Sequence, residues 1–157
     1  MKSFKTILTE QNIKLTKLEK FLVKYECYSS KFYYIDDILH FGIGHNCEAN
    51  PLEFKVFNTI VFGDAKDKVK TAVMLFRDDI DEAERMLYNY CRKYMTVSNK
   101  QVLTCMCFQM GIGSLLGFKK MFIALDNNDY KTAHKEALDS KWGRRFPERA
   151  KETVKFF

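Results

Sequence analysis

A long stretch of helical spacing, from Ala65 to Cys91, constrains this chain more than any other part of its sequence. Apolar residues recur there at intervals of three and four. They are Val69, Val73, Phe76, Ile80, Ala83, Leu87 and Tyr90. This spacing places the apolar side chains on one face of a helix. We therefore predict one long helix over residues 65–91 that connects two lobes, with a coiled-coil dimer as the alternative interpretation.

A shorter helix is predicted over residues 16–26. Thr16 and Glu19 form a capping box, in which each side chain can bond a backbone amide at the start of the helix. The apolar positions that follow share one face and are Leu18, Phe21, Leu22 and Tyr25. This helix should end near Glu26, and residues 1–15 form an N-terminal extension with room for a short extra helix.

Between these two helices the sequence favours a small β element. Phe32-Tyr33-Tyr34 and Ile38-Leu39-His40-Phe41 are β-prone runs, and the Asp36-Asp37 pair between them is a good turn. We predict a short hairpin here, within a small lobe over residues 27–64.

The remaining predicted elements are mostly helical. Ser98 is a suitable N-cap for a helix that runs to Met110, and this segment should be the buried central helix because it has almost no polar face. The other segments are a loop over Asn46–Pro51, helices over Leu52–Phe62, Leu115–Leu125, Tyr130–Ser140 and Pro147–Phe156, and a connection marked by Gly111, Gly113 and Gly117. Together the patterns predict an α+β fold, mainly α, in a single domain with a helical lobe over residues 92–157.

Composition and charge narrow the class of protein. At 157 residues, 46% of them hydrophobic, the chain can bury the core of one domain. Its net charge of +6 favours an anionic partner such as nucleic acid, a membrane surface or bacterial cell wall. The absence of a concentrated basic helix argues against nucleic acid. No apolar run approaches the roughly 20 residues that a membrane helix needs, and polar residues at 9–12 interrupt any signal-peptide core.

The cysteines and histidines do not suggest a metal or cofactor site. The cysteines lack CxxC spacing, which favours reduced thiols, and they are Cys27, Cys47, Cys91, Cys105 and Cys107. His40 and His45 are too far apart for the helical i, i+4 metal pair, and Gly42-Ile43-Gly44 alone is weak evidence for a phosphate-binding turn. We therefore expect no metal and no cofactor.

Several short blocks of sequence occur in an order typical of one enzyme family. Gly42-Ile43-Gly44-His45 follows Glu26, with Tyr34-Ile35-Asp36 between them. Further blocks with similar spacing are Leu75–Asp81, Phe108–Gly111 with Gly117-Phe118, Ser140–Trp142 and Pro147–Lys151. From Leu18 to the C-terminus the chain resembles the T-even phage lysozymes, the muramidase endolysins. The resemblance implies a two-lobed lysozyme-like fold and hydrolysis of the β-1,4 bond between N-acetylmuramic acid and N-acetylglucosamine in peptidoglycan.

By position, the resemblance assigns catalytic and supporting roles. Glu26 matches the general acid, which must hold a proton for the glycosidic oxygen near neutral pH. Arg149 matches the arginine beside that acid, where it would orient the carboxyl group. Asp36 matches the second carboxylate, which steadies positive charge on the sugar and helps to position water. Asp37 is the alternative, because this hairpin is shorter than the family's.

Four more residues match positions of the family that do not adjoin the general acid. His45 and Asp79 match a structural ion pair of the family, and we assign them to stability. Phe108 and Gln109 match residues that line the substrate site, although Phe108 also suits the core.

His40 departs from the family. It lies two residues before Gly42, where the best-known members carry a threonine that holds the attacking water. An imidazole can act as a base or a nucleophile near neutral pH. We expect His40 to bind and activate water, with inversion of the sugar anomer. Retention with transfer to another sugar, or simple hydrogen bonding to water or substrate, stays open.

The predicted protein is a monomeric endolysin-type muramidase whose partner is bacterial peptidoglycan. It would be made without a signal peptide, stay in the host cytoplasm until release to the cell wall, and not insert stably into a membrane. A non-catalytic peptidoglycan-binding protein on the same fold is the alternative.

Overall fold

The computed structural model describes residues 4–26 and 28–157 of the chain. Cys27, one of the predicted reduced thiols, and residues 1–3 lie outside these ranges. The chain divides into two compact units, residues 1–79 and residues 80–157. The described residues are mainly helical with a small three-stranded antiparallel sheet, which confirms the α+β, mainly α prediction.

The elements of the N-terminal half follow the predicted order closely. They are α1 (Phe4–Glu10), α2 (Lys17–Tyr25), β1 (Tyr28–Ile35), β2 (Ile38–Ile43), β3 (His45–Asn46), α3 (Phe54–Phe62) and α4 (Ala65–Cys91). The bounds of α4 are those predicted from its apolar spacing. Helix α1 is the extra helix for which the N-terminal extension has room, and α3 begins slightly later than predicted, after Glu53.

The capping box at the start of α2 is present as predicted. The Glu19 N–H donates to Thr16 Oγ1 at 3.1 Å, and the Thr16 N–H donates to Glu19 Oε2 at 2.6 Å. The second oxygen of Glu19 accepts a hydrogen bond from Arg77 Nε at 2.6 Å. Helix α2 is thus held at its start by its own cap and by α4, and it ends at Tyr25, immediately before Glu26.

The predicted hairpin is confirmed, with a tight turn at its tip. The strands pair antiparallel in the order β1-β2-β3. Asp36 and Asp37 have φ of 49° and 63° and connect the paired residues Ile35 and Ile38. Positive φ at both central residues is the pattern of a type I′ turn, and aspartate tolerates it better than most residues. The loop predicted over Asn46–Pro51 begins one residue too early, because Asn46 belongs to β3 and pairs with His40 of β2.

A glycine lies where β2 meets α4 in the first unit. The buried core there consists of Phe41, Ile60, Ala72 and Leu75. Gly42 has a φ of 66°, and a Cβ added to it would lie 2.8 Å from the Cβ of Ala72. Only glycine satisfies both conditions without strain. The strand therefore packs directly on the helix at this point.

The second unit is built around α5 (Val97–Leu116). Its residues from Val102 to Cys107 are all buried, which confirms the predicted central helix. The other elements are α6 (Lys119–Asp126), α7 (Tyr130–Leu138), α8 (Lys141–Arg145), α9 (Pro147–Thr153) and short 3-10 segments at Arg92–Tyr94 and Val154–Phe156. Pro147 opens α9 as predicted.

Two predictions about the ends of α5 are corrected. Thr96, not Ser98, caps this helix, because Thr96 Oγ1 accepts the Asn99 N–H at 3.2 Å. The predicted end at Met110 is a break rather than an end. Gly111, with φ of 76° and ψ of 159°, leaves helical geometry there, and the chain then resumes a helix to Leu116.

The predicted helix over Leu115–Leu125 is wrong as one piece. Helices α5 and α6 meet at an angle of 96° around Gly117 and Phe118. The predicted helix to Ser140 also stops earlier, at Leu138. Ser140 instead caps α8, where its Oγ accepts the Gly143 N–H at 3.0 Å.

No single described helix is long and apolar enough to cross a membrane. Helices α5 and α6 meet that criterion only when taken as one bent pair, and only by length and composition.

The described cysteines are free thiols. Burial raises the pKa of Cys105 to about 12 and that of Cys107 to about 11.

Candidate active site

Glu26 lies at the end of α2, against the turn that follows β2. Its N–H donates to the Leu22 carbonyl at 3.2 Å, and its backbone is already extended. A Cβ added to Gly44 would lie 3.0 Å from Glu26 Oε2, and the φ of Gly44 is 77°. The glycine therefore leaves room for the carboxylate. Gly42 and Gly44 act here as backbone scaffold.

Tyr33 and His40 are direct partners in the β1–β2 register. Their rings stack, with centroids 5.7 Å apart and an interplanar angle of 27°. The Tyr33 hydroxyl accepts the Gly44 N–H at 3.1 Å. One tyrosine thus contacts both the candidate base and the glycine beside Glu26.

The hydrogen bond of His40 determines its tautomer. His40 Nδ1 lies 2.8 Å from the carbonyl oxygen of Ile38. A carbonyl only accepts hydrogen bonds, so Nδ1 must carry a hydrogen. In the neutral ring, Nε2 therefore carries the lone pair. This is the form that a base or a nucleophile requires.

His45 is buried and donates from both ring nitrogens. Nδ1 lies 2.9 Å from Asp79 Oδ2 and 3.0 Å from Oδ1, and Nε2 lies 3.0 Å from the Asn50 carbonyl. Burial alone lowers the pKa of His45, but the hydrogen bond and charge of Asp79 outweigh it and raise the pKa above its ordinary value. The pair joins the Gly42–His45 segment and the following loop to α4.

Asp36 and Asp37 lie at the other end of β2 from Gly44. Both are exposed at the tip of the hairpin. Because a strand advances about 3.3 Å per residue, the turn lies on the order of 15–20 Å from Gly44. Paired carboxyl groups in glycosidases lie roughly 5–9.5 Å apart. On this estimate the hairpin turn lies away from Gly44, and the second catalytic carboxylate stays a prediction.

Three predicted site residues belong to the second unit. Gln109 Oε1 accepts a hydrogen bond from Trp142 Nε1 at 2.8 Å. Phe108 is half-buried and packs on the hydrophobic core of that unit, as its alternative reading allowed. Arg149 is buried, with 7% of its surface exposed.

An open groove of about 670 Å³ also belongs to the second unit. Its walls combine the aromatic rings of Phe118, Trp142 and Phe146 with basic side chains such as Lys119 and Arg145. The sequence pattern did not reveal this groove, because its walls come from segments that are separate along the chain.

Tyr33, which contacts both His40 and Gly44, was not among the predicted site residues. The sequence contains a signal for this contact, because a two-residue turn at positions 36 and 37 places position 33 directly opposite position 40. Among the described residues, no three His, Cys, Asp or Glu side chains are grouped as a metal ion would require.

No protein-family model matches the chain, and no curated protein matches it significantly.

Proposed function

We propose that the chain is a muramidase on a two-lobed lysozyme-like fold, which hydrolyses the β-1,4 bond between N-acetylmuramic acid and N-acetylglucosamine in peptidoglycan. The observation that carries the proposal is the position of the Glu26 carboxylate. The carboxylate lies against Gly44. Gly44 belongs to the segment that the His45–Asp79 ion pair joins to α4. This segment is one of the blocks that carry the resemblance to phage lysozymes.

Glu26 is the proposed general acid. A glycosidic oxygen is a poor leaving group until it is protonated, so the bond breaks as the carboxyl group donates its proton. The sugar ring then develops the positive charge of an oxocarbenium-like transition state.

His40 is the proposed base. Its Nε2 accepts a proton from water as the water attacks the anomeric carbon, which inverts the anomer. The hydrogen bond from Nδ1 to the Ile38 carbonyl supports this role, because it leaves Nε2 as the acceptor. The alternative chemistry is attack by Nε2 itself, which displaces the leaving sugar and forms a covalent glycosyl-imidazolium intermediate with inversion. A second displacement by water or by another sugar then frees Nε2 and gives net retention.

The remaining proposed roles belong to residues of the hairpin turn and of the second unit. Asp36 or Asp37 would make at most a small contribution from the hairpin turn, by stabilising charge on the substrate and helping to position water. Phe108 and Gln109 would contact substrate, and Arg149 would support the acid. We further propose that the protein acts as a monomer without a cofactor or metal, and waits in the host cytoplasm before release to the wall.

The decisive experiment measures release of reducing ends from purified peptidoglycan. Glu26→Gln keeps the size of the side chain but removes the proton donor, and it should lower the rate by at least about 100-fold. Glu53→Gln is the matched control, since Glu53 is exposed and makes no side-chain cap to α3. Unchanged hydrolysis by Glu26→Gln would refute the proposed acid.

A non-catalytic peptidoglycan-binding protein is the second candidate. The distance of Asp36 and Asp37 from Gly44 favours it, because the usual pair of carboxylates is then incomplete. A folded wild-type protein that cosediments with peptidoglycan but releases no reducing ends would establish this reading. Anomer analysis of the first-formed product would separate inversion from retention if hydrolysis occurs.

A further inference from the structure

Tyr33 occupies a position that neither the sequence blocks nor the proposed chemistry assigns. It is half-buried on β1, directly opposite His40. We infer that Tyr33 is a positioning residue for the reaction, which holds His40 through its ring and the Gly44 backbone through its hydroxyl. This inference rests on the proposed function of Glu26 and His40.

The ring contact restricts the orientation of His40. Residues directly opposite on an antiparallel pair have side chains on the same face of the sheet. The stacked rings leave the imidazole little freedom to rotate, while its Nδ1 remains bonded to the Ile38 carbonyl. Nε2 therefore keeps a defined direction. A base needs such a fixed direction to take a proton from one particular water molecule.

The hydroxyl contact acts on the other side of the site. Gly44 lies against the Glu26 carboxylate, so a shift of its backbone would change the space available to the acid. The Tyr33 hydroxyl accepts the Gly44 N–H and so holds that backbone in place. A single side chain thereby sets the positions of the base and of the glycine beside the acid relative to each other.

Separate substitutions can remove each contact. Tyr33→Phe removes the hydroxyl and keeps the ring, whereas Tyr33→Leu removes both. Tyr34→Leu is the matched control, because Tyr34 is the same residue type on the same strand and is 70% exposed. Circular dichroism of each variant verifies folding.

The first readout is kinetic, on soluble peptidoglycan fragments. We expect Tyr33→Leu to lower kcat on the order of 10-fold to 100-fold with a smaller change in KM, because misplaced catalytic groups slow the chemical step. Tyr34→Leu should leave kcat unchanged.

The second readout is spectroscopic and does not depend on activity. The chain has three histidines, so the ring nitrogens of His40 can be assigned by comparison with His40→Gln. Wild type and Tyr33→Phe should show a protonated Nδ1 and a bare Nε2 in the neutral ring, and Tyr33→Leu should show averaged tautomers. In Tyr33→Phe the Gly44 amide should exchange with solvent roughly fivefold faster, as expected for one lost hydrogen bond.

The outcomes separate this inference from the proposed function. If wild type hydrolyses no peptidoglycan, the proposed function fails, and the NMR readouts still decide whether Tyr33 holds His40 and Gly44. Unchanged tautomers in Tyr33→Leu, together with unchanged Gly44 exchange in Tyr33→Phe, would overturn the inference. If Tyr33→Leu does not fold, Tyr33→Phe carries the test, and unchanged kcat and Gly44 exchange would then overturn it.

Discussion

His45 donates from Nδ1 to both carboxylate oxygens of Asp79, at 2.9 and 3.0 Å, while its side chain is only 5% exposed. The contact joins the end of the small sheet to α4. Since a buried charge is costly without its partner, loss of Asp79 should destabilise the first unit.

The stability of the protein should also depend on pH and fall as the pH rises above the ordinary pKa of histidine. The pKa of His45 is raised in the folded state, so its contribution is complete below the ordinary histidine value near 6.5 and is lost as pH rises through the folded value. Asp79→Asn should lower the free energy of unfolding by about 3 kcal/mol near pH 6. Urea denaturation over a pH series measures both effects. Equal destabilisation by Asp79→Asn at pH 6 and above the folded pKa of His45 would contradict the charged pair.

Gly42→Ala should destabilise the fold by about 2–4 kcal/mol, from left-handed strain and overpacking together. The added methyl group would meet Ala72, as the 2.8 Å approach requires. Gly113→Ala is the control, because a Cβ at Gly113 has nothing within 4 Å and the position is helical. In thermal and urea unfolding, Gly42→Ala should lower stability, whereas Gly113→Ala should leave it unchanged or raise it slightly. Two variants of equal stability would argue against the close packing of β2 on α4.

The corrected cap of α5 gives a third prediction. Thr96→Ala should cost about 1 kcal/mol, because the Asn99 N–H loses its acceptor. Ser98→Ala should have almost no effect, since Ser98 is exposed within the first turn. Urea unfolding of both variants tests this, by comparing the midpoint of Thr96→Ala with that of Ser98→Ala. If Ser98→Ala lowered the stability more than Thr96→Ala, Ser98 would be the cap of α5, as predicted from the sequence.

The two candidate partners of Glu26 can be ranked by activity. His40→Gln should lower the rate of peptidoglycan hydrolysis by about 100-fold, because it removes the proposed base. Asp36→Asn and Asp37→Asn should each change the rate by less than about threefold at 0.1 M salt, because charges farther apart than roughly 10 Å are largely screened. The measurement is the rate at which each variant releases reducing ends from peptidoglycan. A loss at Asp36 as large as the loss at His40 would mean that the hairpin turn approaches the reacting sugar.

The local features of this chain were predictable from sequence because they depend on neighbours along the chain. The Thr16–Glu19 capping box and the apolar face of α4 are of this kind, and both are present as predicted. The turn at Asp36-Asp37 belongs with them, since aspartate accepts positive φ.

Other features could not be predicted, because the sequence pattern is equally compatible with two local structures. Thr96 and Ser98 are both good capping residues, and only the packing of α5 selects between them. Gly111 could have continued a helix or broken it, since glycine tolerates either conformation.

The candidate site was predictable only in part, for a related reason. The resemblance to phage lysozymes led to the predictions for Glu26 and His40, but it did not indicate how far the aspartate pair lies from Gly44. That separation follows from the extended geometry of β2, which runs from Ile38 to Ile43 between the turn and Gly44.

The two-residue turn at Asp36 and Asp37 also makes the hairpin an adjustable arm. Because side chains alternate along a strand, an insertion that adds one residue to each strand would lengthen the arm and keep Tyr33 opposite His40. An insertion of one residue would turn part of the arm over. Length at this tip can therefore change in pairs of residues, so an engineered variant with a longer arm would keep Tyr33 stacked on His40 at its base.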